Sequence, residues 1–385
     1  MSFKTALLIA TASVGLASAA YADDKGPIVI GVPEGLSGAN SIVAPSAVQA
    51  AQLAAAQINA AGGVLGRKLV VDVADDESGA AGAQKAFDYL VYQKNVDVVI
   101  AAETSAARNA GLPITRKGGV PYIYTSFYEG HACSRNLFID GWVPEQQVPP
   151  VVDYMQKSQH ATKFFLIGSD YAFGRGMLDF AKAYIQKHGG SVVGEQFLPI
   201  DGTDWTSIIA NLKSSGADAV ITSTAGGAPN VTLTKQLRQA GVTVPYANLA
   251  LDEGTAKSMG ADAAGIYIVA SYLTSIPSDA NKAFLAAMGK QFGSKMTTPN
   301  DLSVPEYDGV WLYKEAVEKA GTTKGAAVEK ALGQVSFAGP RGAIAMNQQH
   351  HAPMTMYMGQ VQADGSVKVI QTFQNVDSGK QCPNL

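Results

Sequence analysis

The chain predicts an α/β protein built as two doubly wound lobes, each a largely parallel sheet with helices on both faces. Three observations carry this. Apolar strand runs alternate with helical runs along most of the 385 residues. The strand runs are continuously apolar, as buried parallel strands require. The alternation also pauses near residues 141–146 and then restarts, which predicts a hinge there and a cleft beside the strand C-termini of both lobes.

P-I-V-I-G-V-P (27–33) reads as a first strand, and the Ala-rich run 47–60 as a helix closed by Gly62-Gly63. A strand at 68–76 and a helix at 80–92 follow. V-D-V-V-I-A-A (96–102), V-P-Y-I-Y-T-S (120–126) and L-F-I-D (137–140) read as three more strands. In the second half, strands are expected at 163–169, 191–199, 218–224, 244–250 and 266–271, with helices at 174–188, 204–215 and 229–240. The two halves echo each other, because V-D-V-V-I-A-A-E-T-S-A-A and A-D-A-V-I-T-S-T-A-G-G-A share one shape. Residues 300–320 read as a long amphipathic helix, and 339–346, 355–361 and 367–373 as strands of a final β segment.

Residues 1–22 read as a signal peptide: Lys4, an apolar run, then Ala20-Tyr21-Ala22 at the cleavage point. The mature chain is therefore expected to be soluble and exported. Its formal net charge of −3 is spread without any cluster of Lys and Arg larger than a pair, which excludes a nucleic-acid or membrane surface. Cys133 and Cys382 can form a disulfide that pins the C-terminal tail, or stay two separate buried thiols.

Ligands of open α/β sheets bind outside the carboxyl ends of the strands. Five loops qualify: G-L-S-G (35–38), E-T-S-A (103–106), Y-T-S-F-Y-E-G (124–130), S-D-Y-A-F-G-R-G (169–176) and L-D-E-G (251–254). Thr104 and Ser105 stand where a helix begins, able to cap it or to hold a ligand oxygen. Thr125 and Ser126 end the next strand and can converge on the same point. Tyr124, Tyr128 and Tyr171 can cover a ligand or simply pack. Asp252 and Glu253 head a further helix, where a carboxylate is favoured by the dipole and can also capture a ligand N–H.

Signs of catalysis are missing from the sequence. It holds no G-x-x-x-x-G-K-[ST] loop and no G-x-S-x-G elbow, and its first loop is a poor match to G-x-G-x-x-G. The histidines lack metal-ligand spacing, and His350-His351 reads as a solvated turn. No enzyme, cofactor or metal is expected.

The opening G-V-P-E-G-L-S-G and A-A-A-Q-I-N-A-A-G-G-V-L-G-R-K-L resemble the leucine/isoleucine/valine-binding protein family. The resemblance runs on through I-G-S-D-Y-A-F-G-R-G and E-Y-D-G-V-W-L-Y to H-A-P-M-T-M-Y-M, essentially the whole mature chain. It implies a type I periplasmic-binding fold, with 27–142 and 272–345 as one lobe and 143–271 and 346–385 as the other lobe and tail. It also implies a monomeric periplasmic protein that delivers a small amino-acid-like ligand to an inner-membrane ABC permease. Ser105 and the Thr125–Ser126 region match the family's carboxylate site, Glu253 its ammonium site, and Tyr171 the tyrosine that closes over the ligand. T-S-A-A-R-N-A and Y-T-S-F-Y-E-G-H-A-C-S are also similar to the urea and short-chain amide binders of the same superfamily. That branch often has a bulky aromatic where this chain has Glu103. If Glu103 faces the cleft, a ligand with several N–H donors or a positive charge is the better match.

Overall fold

The computed structural model describes residues 26–385, so the signal peptide expected over residues 1–22 lies outside the described residues. The first sheet is assembled from β1 (Ile28–Glu34), β2 (Leu69–Asp75), β3 (Val98–Ala101), β4 (Tyr122–Tyr124) and β5 (Leu137–Ile139). Its order is β2-β1-β3-β4-β5, and every pair is parallel. Between the strands run α1 (Ala44–Ala60), α2 (Ala80–Asp88) and α3 (Ser105–Gly118). β3, β4 and β5 are buried along their whole length, which is why their sequences are continuously apolar. The helix expected over 80–92 changes to a π-helical turn at Tyr89–Gln93, which keeps Leu90 and Val91 in the core.

α4 (Pro144–Ser158) opens the second half and leads to β6 (Lys163–Ser169), α5 (Ala172–Lys187), β7 (Ser191–Leu198), α6 (Thr206–Ser214) and β8 (Ala219–Ser223). α7 (Ala228–Gln239), β9 (Tyr246–Asn248), α8 (Glu253–Met259) and β10 (Tyr267–Ala270) complete it. The parallel strands lie in the order β7-β6-β8-β9-β10, the same winding as the first sheet. The echo between the two halves of the sequence is thus an echo of topology.

α9 (Asp279–Phe292), α10 (Ser303–Ala320) and α11 (Gly325–Leu332) follow. α10 packs on α1 and against β3, returning the chain to the first sheet. α10 begins at Ser303 rather than at 300 because the Asn300 side chain accepts the N–H groups of Leu302 and Ser303, capping the helix from outside. The strand expected over 339–346 is instead a hairpin of β11 (Ser336–Gly339) and β12 (Gly342–Ala345), turning at Pro340-Arg341. Gly342, at φ +112°, supplies a conformation that few other residues adopt. β13 (Met354–Val361) and β14 (Val367–Val376) then add to the β10 edge of the second sheet, both antiparallel.

α4 hides in the sequence because Pro149 and Pro150 lie inside it. Burial of Val148, Val151, Val152 and Met155 outweighs the loss of helix propensity there. His350-His351 is no solvated turn. The His351 ring is buried and lies 2.6 Å from the Tyr128 hydroxyl, while His350 stacks on Phe138 at 4.1 Å.

The chain passes between the sheets at residues 140–143, 271–278 and 346–353. Gly141 stands at the first passage, where a Cβ would come within 1.9 Å of the Ser126 carbonyl oxygen. Arg341, fully buried, ties the first two passages to α10: Nε donates to Asp308 at 2.6 Å and Nη2 to Asp140 at 2.5 Å, while Nη1 donates to the Asp140 carbonyl and Ser271. Asp301 adds bonds from Ser271 Oγ, the Tyr272 N–H and Trp142 Nε1. Cys133 and Cys382 form a disulfide that joins the tail beyond β14 to the loop before β5.

Candidate functional site

In each sheet the winding reverses between two neighbouring strands, β1 and β3 in the first and β6 and β8 in the second. Loops leaving such strands diverge to opposite faces and leave a crevice at their carboxyl ends. Here the two crevices meet. One cavity is lined by Asn40 and Val43 after β1, Glu103–Ser105 after β3, and Ser126 and Phe127 after β4. The facing wall holds Tyr171 and Phe173 after β6, Thr224 and Gly226 after β8, and Ala250 and Asp252 after β9, with Leu302 at the side. The space open to a water-sized sphere is about 30 Å³, room for a small head group only. A wider groove of about 650 Å³ beside the disulfide lies at the far end of α3, away from the strand ends.

Each lining residue is held by its element. Thr104 caps α3, its hydroxyl accepting the Ala107 N–H at 3.2 Å. Ser105 begins the helix and donates its hydroxyl hydrogen to Glu129 at 2.5 Å, which leaves its lone pairs as acceptors. Glu129 is in turn paired with Arg108 at 2.7 Å, and the Arg108 guanidinium lies over the rings of Tyr124 and Tyr128. Ser126 Oγ donates to the Phe127 carbonyl. Phe127 stacks on Trp142 at 4.5 Å and touches Phe173 across the crevice at 5.4 Å. That contact carries an aromatic chain from the first passage to the Tyr171 loop.

Glu103 is the exceptional member. It is wholly buried, and neither carboxylate oxygen has a hydrogen-bond partner. Burial, followed by the negative charges of Asp76 and Glu306, pushes its pKa well above the ordinary carboxylate value. Glu34 is raised in the same way, and burial lifts Asp76 to about 7 and Glu306 to about 8.

Of the residues the sequence singled out, Glu103, Thr104, Ser105, Ser126 and Tyr171 line this cavity together. Tyr124 stands behind it, donating its hydroxyl to the Glu103 carbonyl at 2.9 Å. Glu253 stands outside the lining: its two oxygens accept the Thr274 N–H and hydroxyl, each at 2.7 Å. The acid of that loop in the lining is Asp252, whose carboxylate is taken up by Gly254, Thr255 and Asn300. Sequence reasoning named the loops of Phe127 and Phe173 but not those two residues, and it missed Asn40, Val43, Ala250, Leu302 and the whole loop after β8. The echo of E-T-S-A-A in T-S-T-A-G-G-A was the signal that pointed to that last loop.

The buried acids set a pH dependence. Burial raises Asp301 to about 6, Glu253 and Asp308 to about 7, and, as above, Asp76 to about 7 and Glu306 to about 8. The unfolded chain ionises these groups near pH 4, so between pH 6 and 8 the folded state holds more protons and loses stability as pH rises. Neutral His351, lowered by burial to about 4, opposes this only below its unfolded value near 6.5. The ligand-free melting temperature is expected to fall by roughly 5 °C or more from pH 6 to 8. A scan by circular dichroism showing a flat or rising value would refute this.

Comparison with known proteins agrees with the fold. The family model described as "Periplasmic binding protein" matches residues 27–366. The Leu/Ile/Val-binding protein homolog 3 of Brucella melitensis is 30% identical over 340 residues, 83% of this chain and 86% of that protein. The branched-chain amino acid transporter substrate-binding protein of Streptococcus pneumoniae, solved with isoleucine, superposes with a TM-score of 0.78 at 25% identity, covering 90% of this chain and 99% of that one. A solute-binding protein of an ABC transporter from Rhodopseudomonas palustris, solved with benzoate, reaches 0.84 at 21% identity, covering 93% and 99%. The chain therefore belongs to the periplasmic binding protein family and, within it, to the Leu/Ile/Val-binding proteins: it is a solute-binding protein with the type I periplasmic-binding fold.

Proposed function

We propose that this protein is the periplasmic component of an ABC importer, binding a small amino-acid-like solute between two lobes that close around it. The lobes are residues 27–142 with 272–345, and 143–271 with 346–385, and export is directed by residues 1–22. One observation carries the reading: loops from the carboxyl ends of both sheets line a single cavity that offers both kinds of polar group. The Ser105 and Ala106 N–H groups at the start of α3 face a ligand carboxylate or carbonyl, and Ser126, its proton given to the Phe127 carbonyl, offers lone pairs. Glu103 and the Ser105 lone pairs face its N–H groups, Tyr171 covers it, and Val43, Phe127, Phe173 and Leu302 take an apolar side chain. Glu253 supports the Asp252 loop through Thr274 rather than meeting the ligand in this conformation.

Contacts from both walls coexist only when the lobes are closed, so ligand shifts an open–closed equilibrium toward the form that a membrane permease recognises. The protein acts as a monomer, without a cofactor, and the ligand leaves chemically unchanged. The small cavity and the Tyr128-Glu129-Gly130 segment, whose Glu129 orients Ser105, support a second reading in which the ligand is urea or a short-chain amide.

A thermal-shift screen of the mature chain separates these readings. An amino acid that the cavity accepts, at about 100 times its dissociation constant, is expected to stabilise the protein by about 2.7 kcal/mol. A shift with urea or acetamide and none with any amino acid would select the second reading. Recovery of a chemically altered ligand would overturn both.

A further inference from the structure

We propose that the ligand presents a positively charged nitrogen head group (guanidinium, amidinium or ammonium) to Glu103 and carries a net positive charge. This rests on the cleft being the solute site, and it goes beyond that reading by naming the charge class of the solute.

The first wall of the cavity is backed by a row of acids that follows the strand order. Asp76 follows β2, Glu34 ends β1, and Glu103 follows β3, so three neighbouring strand ends each carry a carboxylate. The next strand, β4, is followed by Thr125, whose hydroxyl donates to a fourth acid, Glu306 of α10, at 2.6 Å. All four side chains are buried. Each retains at least one oxygen without a partner: Glu34 Oε2, Asp76 Oδ2, Glu306 Oε1 and both oxygens of Glu103. The protein groups that do bond them are few: the Ala102 N–H for Glu34, the Ser78 N–H for Asp76 and Thr125 for Glu306. Glu103, the member that reaches the cavity lining, has none.

The lining contains no Lys, Arg or His among the described residues. The guanidinium of Arg108 acts on Glu103 only at a distance, because its hydrogen bonds go to Glu129 and Asn109. Buried polar groups are normally bonded, and a buried carboxylate left bare is strongly disfavoured. A cation brought in by the ligand supplies the missing N–H donors and the missing charge together, as charge-assisted bonds. The rings of Phe127, Phe173 and Tyr171 beside the site add faces that attract a cation. An anionic aromatic acid would instead meet four carboxyl groups. A zwitterion would satisfy Glu103 but bring its own carboxylate beside the remaining buried acids.

Isosteric pairs that differ in charge provide the test: guanidinium against urea, and acetamidinium against acetamide, at millimolar concentration with the intact mature protein. In isothermal titration at pH 7, the cation of each pair is expected to bind at least ten times more tightly than its neutral partner. Glu103→Gln, nearly the same shape, is expected to bring the two affinities within about twofold. The wild-type comparison needs no variant, so poor folding of Glu103→Gln would not remove the test. Equal or tighter binding of urea or acetamide by wild type overturns the proposal, as does a cation preference that persists in folded Glu103→Gln. If neutral amino acids bind while both cations do not, the charge assignment fails and the solute-binding site stands. If no probe of either kind binds, the site itself is refuted.

Discussion

Replacing Arg341 with methionine is expected to destabilise the protein by about 3–5 kcal/mol, the usual result of removing one partner from a buried ion pair. Arg341 is 2% exposed, and its guanidinium meets Asp140 and Asp308, both fully buried. Without it two carboxyl groups keep their burial and lose their counter-ion. Both acids are already raised by burial, and the Arg341 charge opposes that rise. The variant should therefore lose most stability at alkaline pH, where the acids must ionise or strain to stay neutral. Denaturant titration at pH 6 and pH 8 measures the effect. A loss below 1 kcal/mol at both would show that the pairing of Arg341 with Asp140 and Asp308 contributes little. A double variant, Arg341→Met with Asp308→Asn, should recover part of the loss, because one of the stranded charges is removed with its partner.

Breaking the Cys133–Cys382 disulfide by Cys133→Ser with Cys382→Ser is expected to lower stability by about 2–5 kcal/mol. The bond joins cysteines 249 positions apart, so its absence frees a large denatured ensemble. In the folded state it anchors a tail that also bonds through Gln381 to His131 and through the Cys382 N–H to Gln349. Denaturation midpoints with and without reductant should differ by that amount in wild type and coincide in the double serine variant. Coincident midpoints in wild type would show that the tether stabilises nothing.

Much of this protein is legible along its chain. Strand positions came within a few residues in both sheets, because buried parallel strands must be apolar on both faces and helix-capping glycines punctuate them. Three long-range features were not legible. α4 carries two prolines in its interior, and only the buried Val and Met on its inner face keep it helical. His351 reads as half of a polar pair, yet its ring fills a space beside Tyr128 that nothing local announces. Arg341 follows a turn-forming proline and looks like surface until Asp140 and Asp308 are brought to it from 201 and 33 positions away.

The cleft divides in the same way. Glu103, Thr104, Ser105, Ser126 and Tyr171 were visible because a strand-end rule needs only the order of elements. Which acid stands free in the cavity was not visible, since adjacent Asp252 and Glu253 are equivalent in sequence. The fold directs Asp252 into a helix cap and Glu253 onto Thr274, leaving Glu103 bare. Local pattern, in short-range hydrogen bonding and hydrophobic period, determined the strands, the helices and the loops that line the cavity. Tertiary structure decided which carboxylates found partners and which did not, because a buried charge is set by neighbours contributed from distant parts of the chain.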